Sequence, residues 1–394
     1  MYASPTIPTS QNRSWRDLIT PLKPITAAIC FAAIFSGCTG EQRADLAAER
    51  PQEPQGALPY RSQEVRFKNP RAGIELAGTL TLPPGEGVYP AVVLMTGSGP
   101  QDRDETVAGH KPFLVLADHL TRQGMAVLRY DDRGVGASTG EFGTATMLDF
   151  VSDAQAAVEF LQARRDIDGS RIGLAGHSEG GMVVTQVALE LPDQIASLVL
   201  LATPGLNGEE IFYLQDATQQ RVRGLDETTI ARNRQRKEQL FAVLKAEPNL
   251  SSAADQLRAV RRAMSLTENE QTALAAGGVN LDEMINQQIR LLNNDATRFF
   301  LNYDPLPALS RMNMPILAVI GENDLQVPPE ENLPLIEAAL SSGVCPRYEV
   351  KKLSGLNHLF QTSQTGLPDE YGQIRETIAP AALVVISEWI LEIL

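Results

Sequence analysis

Cysteine and positive charge are scarce in this sequence, and each shortage excludes a class of protein. Three cysteines occur among 394 residues, too few for a disulfide framework and without the spacing of a zinc site. The formal net charge of -14 argues against a nucleic-acid partner, because proteins that bind nucleic acid usually carry basic clusters. A nucleotide-binding loop is missing as well, so neither a metal nor a cofactor is expected.

The N-terminal apolar stretch, Ile25–Cys38, is too short to span a bilayer as a mature helix. Three basic residues precede it: Arg13, Arg16 and Lys23. A basic region followed by a short apolar stretch is typical of a secretory signal. Residues 1–38 are therefore predicted to direct export.

The end of this segment, Phe-Ser-Gly-Cys, resembles a bacterial lipoprotein box, in which the cysteine is lipidated after cleavage. Lipidation of Cys38 predicts a periplasm-facing lipoprotein of a Gram-negative envelope, and Thr39 in place of an aspartate favours the outer membrane. Phe35 stands where the motif more often has leucine, so a soluble periplasmic or secreted protein and an uncleaved anchor remain alternatives. The lipid is the only membrane contact expected. Residues 39–62, rich in Glu, Ala, Gln and Pro, are predicted to form a flexible tether.

From residue 63 onward, strand-length apolar segments alternate with helical ones. Eight strands are predicted, at residues 64–69, 74–83, 91–95, 126–130, 171–176, 197–203, 315–321 and 347–353. The first two alternate apolar and polar residues, which predicts an antiparallel edge pair. The next four are continuous apolar runs, as in parallel strands buried on both faces. The sequence thus predicts a doubly wound, mostly parallel α/β sheet with helices on both faces.

One long interval, residues 206–308, contains no convincing strand but several helical patterns. Asp226 and Ser251 stand where helix N-caps are expected. Because it falls between two strands, the interval is predicted to be a helical cap over the carboxyl edge of the sheet; the alternative is a remote helical lobe. The sheet domain then has two parts, residues 63–205 and 309–394.

The stretch "GLAGHSEGGMVV" (173–184) places Ser178 between tight glycines, after one apolar run and before another. The pattern fits a nucleophile elbow, a sharp strand-to-helix turn that exposes a serine hydroxyl. The pattern alone is weak, because glycine and serine are common. A serine also needs a base within reach and a carboxylate that orients the base.

Elimination among the four histidines selects His358 as the base, because it follows the last strand and can reach the carboxyl edge of the sheet. His177 is expected to point away from the serine. The acid is assigned to Asp324, after the preceding strand, in preference to Glu322, which falls in the turn itself. Two backbone N–H groups, of Glu179 and of Ser98 in "TGSGP", are predicted to form the oxyanion hole.

The stretches "TGSGPQDRDE", "GHKPFLVLADHL", "VLRYDDRGVGASTG", "GHSEGG" and "GENDLQVPP" resemble a bacterial group of α/β-hydrolases with a helical cap. Its members are described as esterases, lysophospholipase-like hydrolases or relatives of prolyl-oligopeptidase-type peptidases. The resemblance covers about residues 63–394 and is weak in the cap. It implies the α/β-hydrolase fold with an inserted cap, and the triad of Ser178, Asp324 and His358.

These observations together predict a serine hydrolase that cleaves small-molecule carboxylic esters through an acyl-enzyme. A serine peptidase or amidase of the same fold is the first alternative, and a non-catalytic envelope lipoprotein on this scaffold is the second. Neither the natural substrate nor the oligomeric state follows from the sequence. Arg133 and "QDRDE" (101–105) are expected to brace loops, with substrate contact as the alternative. Phe299, Phe300 and Tyr303 are expected to pack in the core rather than line the acyl pocket.

Overall fold

The structure is a computed structural model, and it describes residues 50–278 and 280–394. The predicted export signal, its lipidation site Cys38 and residues 39–49 of the predicted tether lie outside the described residues and stay predictions. Within the described ranges, no helix is long and apolar enough to cross a membrane.

The expected flexible tether needs correction at Arg50, Gln52 and Tyr60, which pack on the domain, while residues 55–59 are exposed. The Arg50 guanidinium donates to four main-chain carbonyls, those of Ala108, Gly109, Gly372 and Ile374. The side-chain amide of Gln52 donates to Ile378 O and accepts from the N–H of Thr377. Polar side chains that suggested a solvated linker thus satisfy the carbonyls of two loops, and the first strand already begins at residue 61.

An eight-stranded sheet forms the centre of the described chain, as predicted. Its strands are β1 (Arg61–Asn69), β2 (Ile74–Leu82), β3 (Tyr89–Met95), β4 (Ala126–Tyr130), β5 (Ile167–His177), β6 (Ser197–Leu201), β7 (Ile316–Gly321) and β8 (Tyr348–Leu353). Their order is β1-β2-β4-β3-β5-β6-β7-β8. β1 and β2 are antiparallel to their neighbours, and the other six strands run parallel.

Helices cover both faces of the sheet, because the central strands are apolar on both sides. The helices outside the insertion are α1 (Pro112–Arg122), α2 (Met147–Gln162), α3 (Glu179–Glu190), α10 (Leu306–Leu309), α11 (Pro329–Ser342), α12 (Pro368–Tyr371) and α13 (Pro380–Ile393). One apolar cluster joins α1 and α13 to the sheet, and the other joins α2, α3 and α11 to its opposite face.

In the described chain, six helices form the insertion after β6, and the short α10 follows them before β7. The six are α4 (Gly208–Val222), α5 (Glu227–Ala246), α6 (Leu250–Ala263), α7 (Glu268–Ala276), α8 (Leu281–Leu292) and α9 (Asp295–Asn302). Several of them share a small apolar core that includes Phe241, Leu257 and Ile289. Asp226 caps α5 as expected, but Ser251 lies inside α6, whose N-cap is Asn249 because its side chain accepts the N–H of Ser252.

The parallel strands all end at one edge of the sheet, and the loops that follow them meet there. β5 ends at His177, β7 at Gly321 and β8 at Leu353. The predicted nucleophile, acid and base each follow one of these three strand ends. The described part of the insertion is tied to the same edge, where the Thr218 hydroxyl donates to Leu325 O over 2.9 Å.

Candidate active site

Ser178 lies at a sharp turn between β5 and α3. Its backbone angles, φ 54° and ψ -119°, are rare for a residue with a side chain, and its N–H donates to Leu201 O over 2.7 Å. The flanking glycines are required sterically. A Cβ on Gly176 would lie 2.2 Å from Gly180 O, and one on Gly180 would lie 2.4 Å from Met95 O. The G-x-S-x-G pattern therefore reflects the tight packing of this turn.

His358 and Asp324 form a buried hydrogen-bonded pair. His358 Nδ1 lies 2.8 Å from Asp324 Oδ2, and the two residues are 4% and 1% exposed. The other carboxylate oxygen accepts the N–H groups of Gln326 and Val327, each over 2.8 Å. Since the carboxylate can only accept here, Nδ1 donates and the neutral ring keeps its lone pair on Nε2, the tautomer that a general base needs.

Glu322, the weaker candidate for the acid, is separated from this pair. Its side chain is exposed, and it accepts the Ser354 hydroxyl over 2.6 Å and the N–H of Gly355 over 2.9 Å. It therefore braces the start of the loop that carries His358, while Asp324 contacts the imidazole itself.

The strand end that carries Ser178 meets the loop that carries His358. The contact is made by the neighbouring residue His177, whose Nε2 lies 3.0 Å from His358 O. The two imidazole rings have centroids 4.7 Å apart. The loop after β8 that carries His358 thus lies against the end of β5 that leads into Ser178.

The two residues predicted to supply the oxyanion hole line the same cavity as Ser178. Ser98 belongs to the loop after β3, where Gly99 has a φ of 90°, and Glu179 is the first residue of α3. The N–H of Gly97 is not available to a substrate, because it donates to Glu105 Oε1 over 2.7 Å. Ser98 remains the fitting donor from this loop.

The cavity has a volume of about 330 Å³ and is mainly apolar. The sheet side supplies Met95, Tyr130, Phe142, Phe150 and Val183, and the helical insertion supplies Ile211, Phe212, Leu291, Ala296 and Phe300. The insertion therefore covers the sheet edge that holds Ser178, in contrast to the remote-lobe alternative. The three aromatic residues where it returns to the sheet divide: Phe300 lines the cavity, against the expectation, while Phe299 and Tyr303 stack on each other with centroids 5.9 Å apart.

Glu179 also presents a half-buried carboxyl group to the cavity. Among the residues that the structure describes, no side chain or N–H group binds it. Burial raises the pKa of this carboxyl to about 7. A group that exchanges protons near neutrality and lacks a partner therefore stands directly after the predicted nucleophile.

Asp132, at the end of β4, is a second carboxyl in the cavity wall. Burial, with a smaller contribution from the charge of Glu105, raises its pKa to about 8. It accepts the Thr96 hydroxyl and the N–H of Gln101, each over 2.9 Å. These two hydrogen bonds fix the loop that contains Ser98.

Comparisons with known proteins match the fold over most of the chain and the sequence over part of it. The family model described as serine aminopeptidase, S33, matches residues 111–267. DcsB, determined in complex with its substrate analogue, superposes with a TM-score of 0.53 at 19% identity, over 84% of this chain and 99% of DcsB. A hypothetical protein of Pseudomonas aeruginosa superposes with a TM-score of 0.52 at 16% identity, over 91% of this chain and all of that protein. The chain has the α/β-hydrolase fold.

Two curated relatives show how far the similarity of this chain extends in sequence. Esterase EstD of Thermotoga maritima is 36% identical over 137 residues, which are 35% of this chain and 32% of EstD. An uncharacterized 31.7 kDa protein of Escherichia coli is 24% identical over 278 residues, 70% of this chain and 86% of that protein. The match thus spans about a third of the esterase.

The expected loop braces are present at the sheet edge. Arg133 donates to Asp149 and Asp153, and Arg103 donates to both carboxylate oxygens of Asp131. Within the described ranges, His, Cys, Asp and Glu side chains form no group that could hold a metal ion.

Sequence reasoning missed one pair of residues at this edge, Glu105 and His177. Glu105, in the predicted bracing segment, contacts His177, the histidine expected only to point away from the serine. A signal was present in the sequence: an acidic residue in the loop after β3 and a histidine directly before the nucleophile. Their pairing needs the fold, because 72 positions separate them.

Proposed function

We propose that this α/β-hydrolase cleaves carboxylic esters through an acyl-enzyme on Ser178. One observation carries the proposal: the left-handed turn presents Ser178 to an apolar cavity at the sheet edge where the Asp324–His358 pair lies. A turn of this kind costs about 1–3 kcal/mol and persists where the surrounding structure holds it, often at reactive sites. EstD, an esterase by name, supports the ester as the substrate class.

In the proposed reaction, the Ser178 hydroxyl attacks the acyl carbonyl while His358 Nε2 takes its proton. Asp324 holds the imidazole through Nδ1 and stabilises the imidazolium that forms. The carbonyl oxygen becomes negatively charged and is bound by the N–H groups of Ser98 and Glu179. Each such donor contributes on the order of 3 kcal/mol of transition-state stabilisation.

The same groups complete the cycle. The imidazolium of His358 gives its proton to the leaving alcohol, and the acyl group remains on Ser178. Water then attacks this ester, with His358 again as the base, and the acid is released. The reaction as proposed routes no step through a metal or a cofactor.

The cavity limits the size of the group that it accepts. At about 330 Å³ it lies at the low end of the range of small-ligand sites. Its apolar lining from Phe142, Phe150 and the insertion favours an acyl or alkyl chain of moderate length. The half-buried Glu179 carboxyl disfavours a carboxylate beside the ester bond.

The decisive experiment compares the full chain with Ser178→Ala on p-nitrophenyl esters from acetate to palmitate. We expect the substitution to lower kcat by about 10⁴–10⁶-fold, because it removes the nucleophile. A fluorophosphonate probe should label the unsubstituted protein and not the variant. The acyl-chain length that gives the fastest turnover then indicates how long a chain the cavity accepts.

Ser341→Ala is the matched control, because Ser341 is exposed on α11 and its hydroxyl donates to Ala338 O within the same helix. It should keep full activity. Equal ester turnover by Ser178→Ala would overturn the assignment of the nucleophile. Failure of the unsubstituted protein both to cleave esters and to bind the probe would favour the non-catalytic alternative.

A second candidate function is the cleavage of aminoacyl bonds, and Glu179 is the observation that favours it. An ionised carboxylate without a partner, close to the nucleophile, fits an ammonium group on the acyl part of a substrate. The family model described as serine aminopeptidase points the same way. An aminoacyl p-nitroanilide, assayed beside the esters, separates the two: faster turnover of the anilide that is lost in Glu179→Gln would favour the peptidase.

A further inference from the structure

Behind the proposed catalytic groups lies a second carboxylate–imidazole pair, Glu105 with His177. Both residues are buried, at 2% and 6% exposure. Glu105 Oε1 accepts two hydrogen bonds, from the N–H of Gly97 over 2.7 Å and from His177 Nδ1 over 2.9 Å. Glu105 reaches this position from a backbone with φ 53°. One carboxylate oxygen thus joins the loop of the oxyanion hole to the residue before the nucleophile.

The other nitrogen of His177 reaches the loop of the general base. Its Nε2 lies 3.0 Å from the main-chain oxygen of His358. Both partners of the ring, a carboxylate and a carbonyl, can only accept hydrogen bonds. A neutral imidazole carries one N–H, so it can satisfy one of them. Only the imidazolium donates to both at once.

The surroundings of His177 determine its charge. Burial among apolar residues, including Phe113, Leu201 and Phe360, opposes the imidazolium. The negative charge of Glu105, the two hydrogen bonds and the charge of Asp324 outweigh burial and raise the pKa of His177 above its usual value. The titratable groups that face the ring are Glu105, Asp324 and His358, of which the first two are carboxylates.

We propose that Glu105 and a protonated His177 form a positioning device that holds the oxyanion loop and the general-base loop in register around Ser178. Neither side chain takes part in bond making. Glu105 fixes the Gly97–Ser98 turn, and His177 fixes the main chain of His358. This inference rests on the proposed hydrolase function and adds two residues to it.

The device has a defined pH dependence. A group whose pKa is raised in the folded state is protonated, and contributes fully, below its usual pKa; the contribution disappears as the pH rises through the raised value. Deprotonation of His177 leaves one of its two acceptors without a donor, and the His358 loop is the weaker partner. Turnover should therefore decline on the alkaline side as His177 loses its proton.

Glu105→Gln in the full chain is the central test. The amide oxygen can still accept from Gly97, but the negative charge is gone, so the pKa of His177 falls. We expect kcat on the best ester to drop about 10- to 100-fold while KM changes less than about threefold, because positioning errors of this size act on the transition state. The alkaline decline should move to lower pH by at least about one unit.

His177→Gln should lower kcat in the same range and abolish the alkaline decline, since the titrating group is removed. His119→Gln is the matched control, because His119 lies on α1 and its ring contacts Ser387 and Gln123. It should leave kcat and the pH profile unchanged. Unchanged kcat and pH profile in both Glu105→Gln and His177→Gln would overturn the proposal.

Nitrogen-15 NMR of the unsubstituted protein tests the charge without relying on the folding of a variant. The chain has four histidines, so the spectrum is simple to assign. We expect the imidazole of His177 to lose its second proton above the ordinary histidine pKa of about 6.5. A His177 pKa at or below that ordinary value would overturn the proposal. The proposed hydrolase function would fail on a different result: equal ester turnover by Ser178→Ala and the unsubstituted protein, whatever the protonation state of His177.

Discussion

The sheet domain and the helical insertion are built on different principles. Every residue of β4, β6 and β7 is buried, whereas in the 20-residue helix α5 five residues are buried. The sheet holds its residues by apolar packing on two faces, and its loops are tied by buried charges such as Arg133 with Asp153. Such packing fixes where strand ends lie, which is what a reaction centre needs.

The insertion has a smaller apolar core and more polar contacts at its surface. Exposed ion pairs join its helices, among them Arg221–Glu227, Arg234–Glu210 and Arg262–Asp282. Pairs of this kind contribute little to stability, with a median near 0–1 kcal/mol. The match to the family model ends within the insertion, at residue 267. From this difference in burial we expect the sheet to carry the proposed catalytic residues, and the insertion to determine which substrate group fits the cavity.

The largest effect should come from the sheet side, at Asp324. Asp324→Asn keeps the shape of the acid but favours the wrong histidine tautomer, so we expect kcat to fall about 10³–10⁴-fold. Glu322→Gln, the neighbouring carboxylate, should stay within about twofold because it is exposed and distant from the imidazole. Steady-state kinetics on one ester measure both. The reverse pattern would transfer the role of the acid to Glu322.

A smaller effect is expected from the insertion. Ala296→Leu narrows the cavity from α9 and should raise KM for long-chain esters about tenfold, while the acetate ester changes less than about twofold. Ala276→Leu on α7 is the control, because this exposed residue does not line the cavity. An equal rise in KM for esters of every acyl-chain length would contradict the view that the insertion limits the size of the substrate without affecting catalysis.

The smallest effect concerns the surface of the insertion. The side chains of Arg262 and Asp282 are 59% and 61% exposed. Arg262→Ala should therefore lower the free energy of unfolding by less than about 1 kcal/mol and leave ester kinetics unchanged. Urea denaturation measures the first quantity. A loss above about 2 kcal/mol would mean that surface pairs hold the insertion as firmly as packing holds the sheet.

The sheet was predictable from sequence because its signals are local. Continuous apolar runs marked the strands, and their order placed Ser178, Asp324 and His358 after the ends of three of them, β5, β7 and β8. Chemistry restricted the choice further, since a serine nucleophile needs a base and an acid, and few histidines were available. The pairing of His358 with Asp324 agrees with that reasoning, and the fold is the one predicted.

The remaining features depend on contacts between distant residues. Glu105 and His177 each look ordinary in the sequence, and only the fold brings them together. Arg50 resembled part of a solvated linker until the carbonyls of two remote loops surrounded it. The sequence does not show which of the adjacent residues Phe299 and Phe300 lines the cavity. They point in different directions from one short helix, and only the packing of that helix in the fold decides which one faces the cavity. Composition describes a segment, but burial depends on what packs against it.

The backbone of Ser178 has a consequence for how this protein would respond to selection. Glycine adopts positive φ without the penalty of a side chain, so Ser178→Gly would relieve a conformation that costs about 1–3 kcal/mol. A library screened for heat resistance alone would therefore enrich glycine at this position and lose the proposed nucleophile. Stability and activity make opposite demands on one residue, and any stabilisation campaign must include an activity screen to retain the serine.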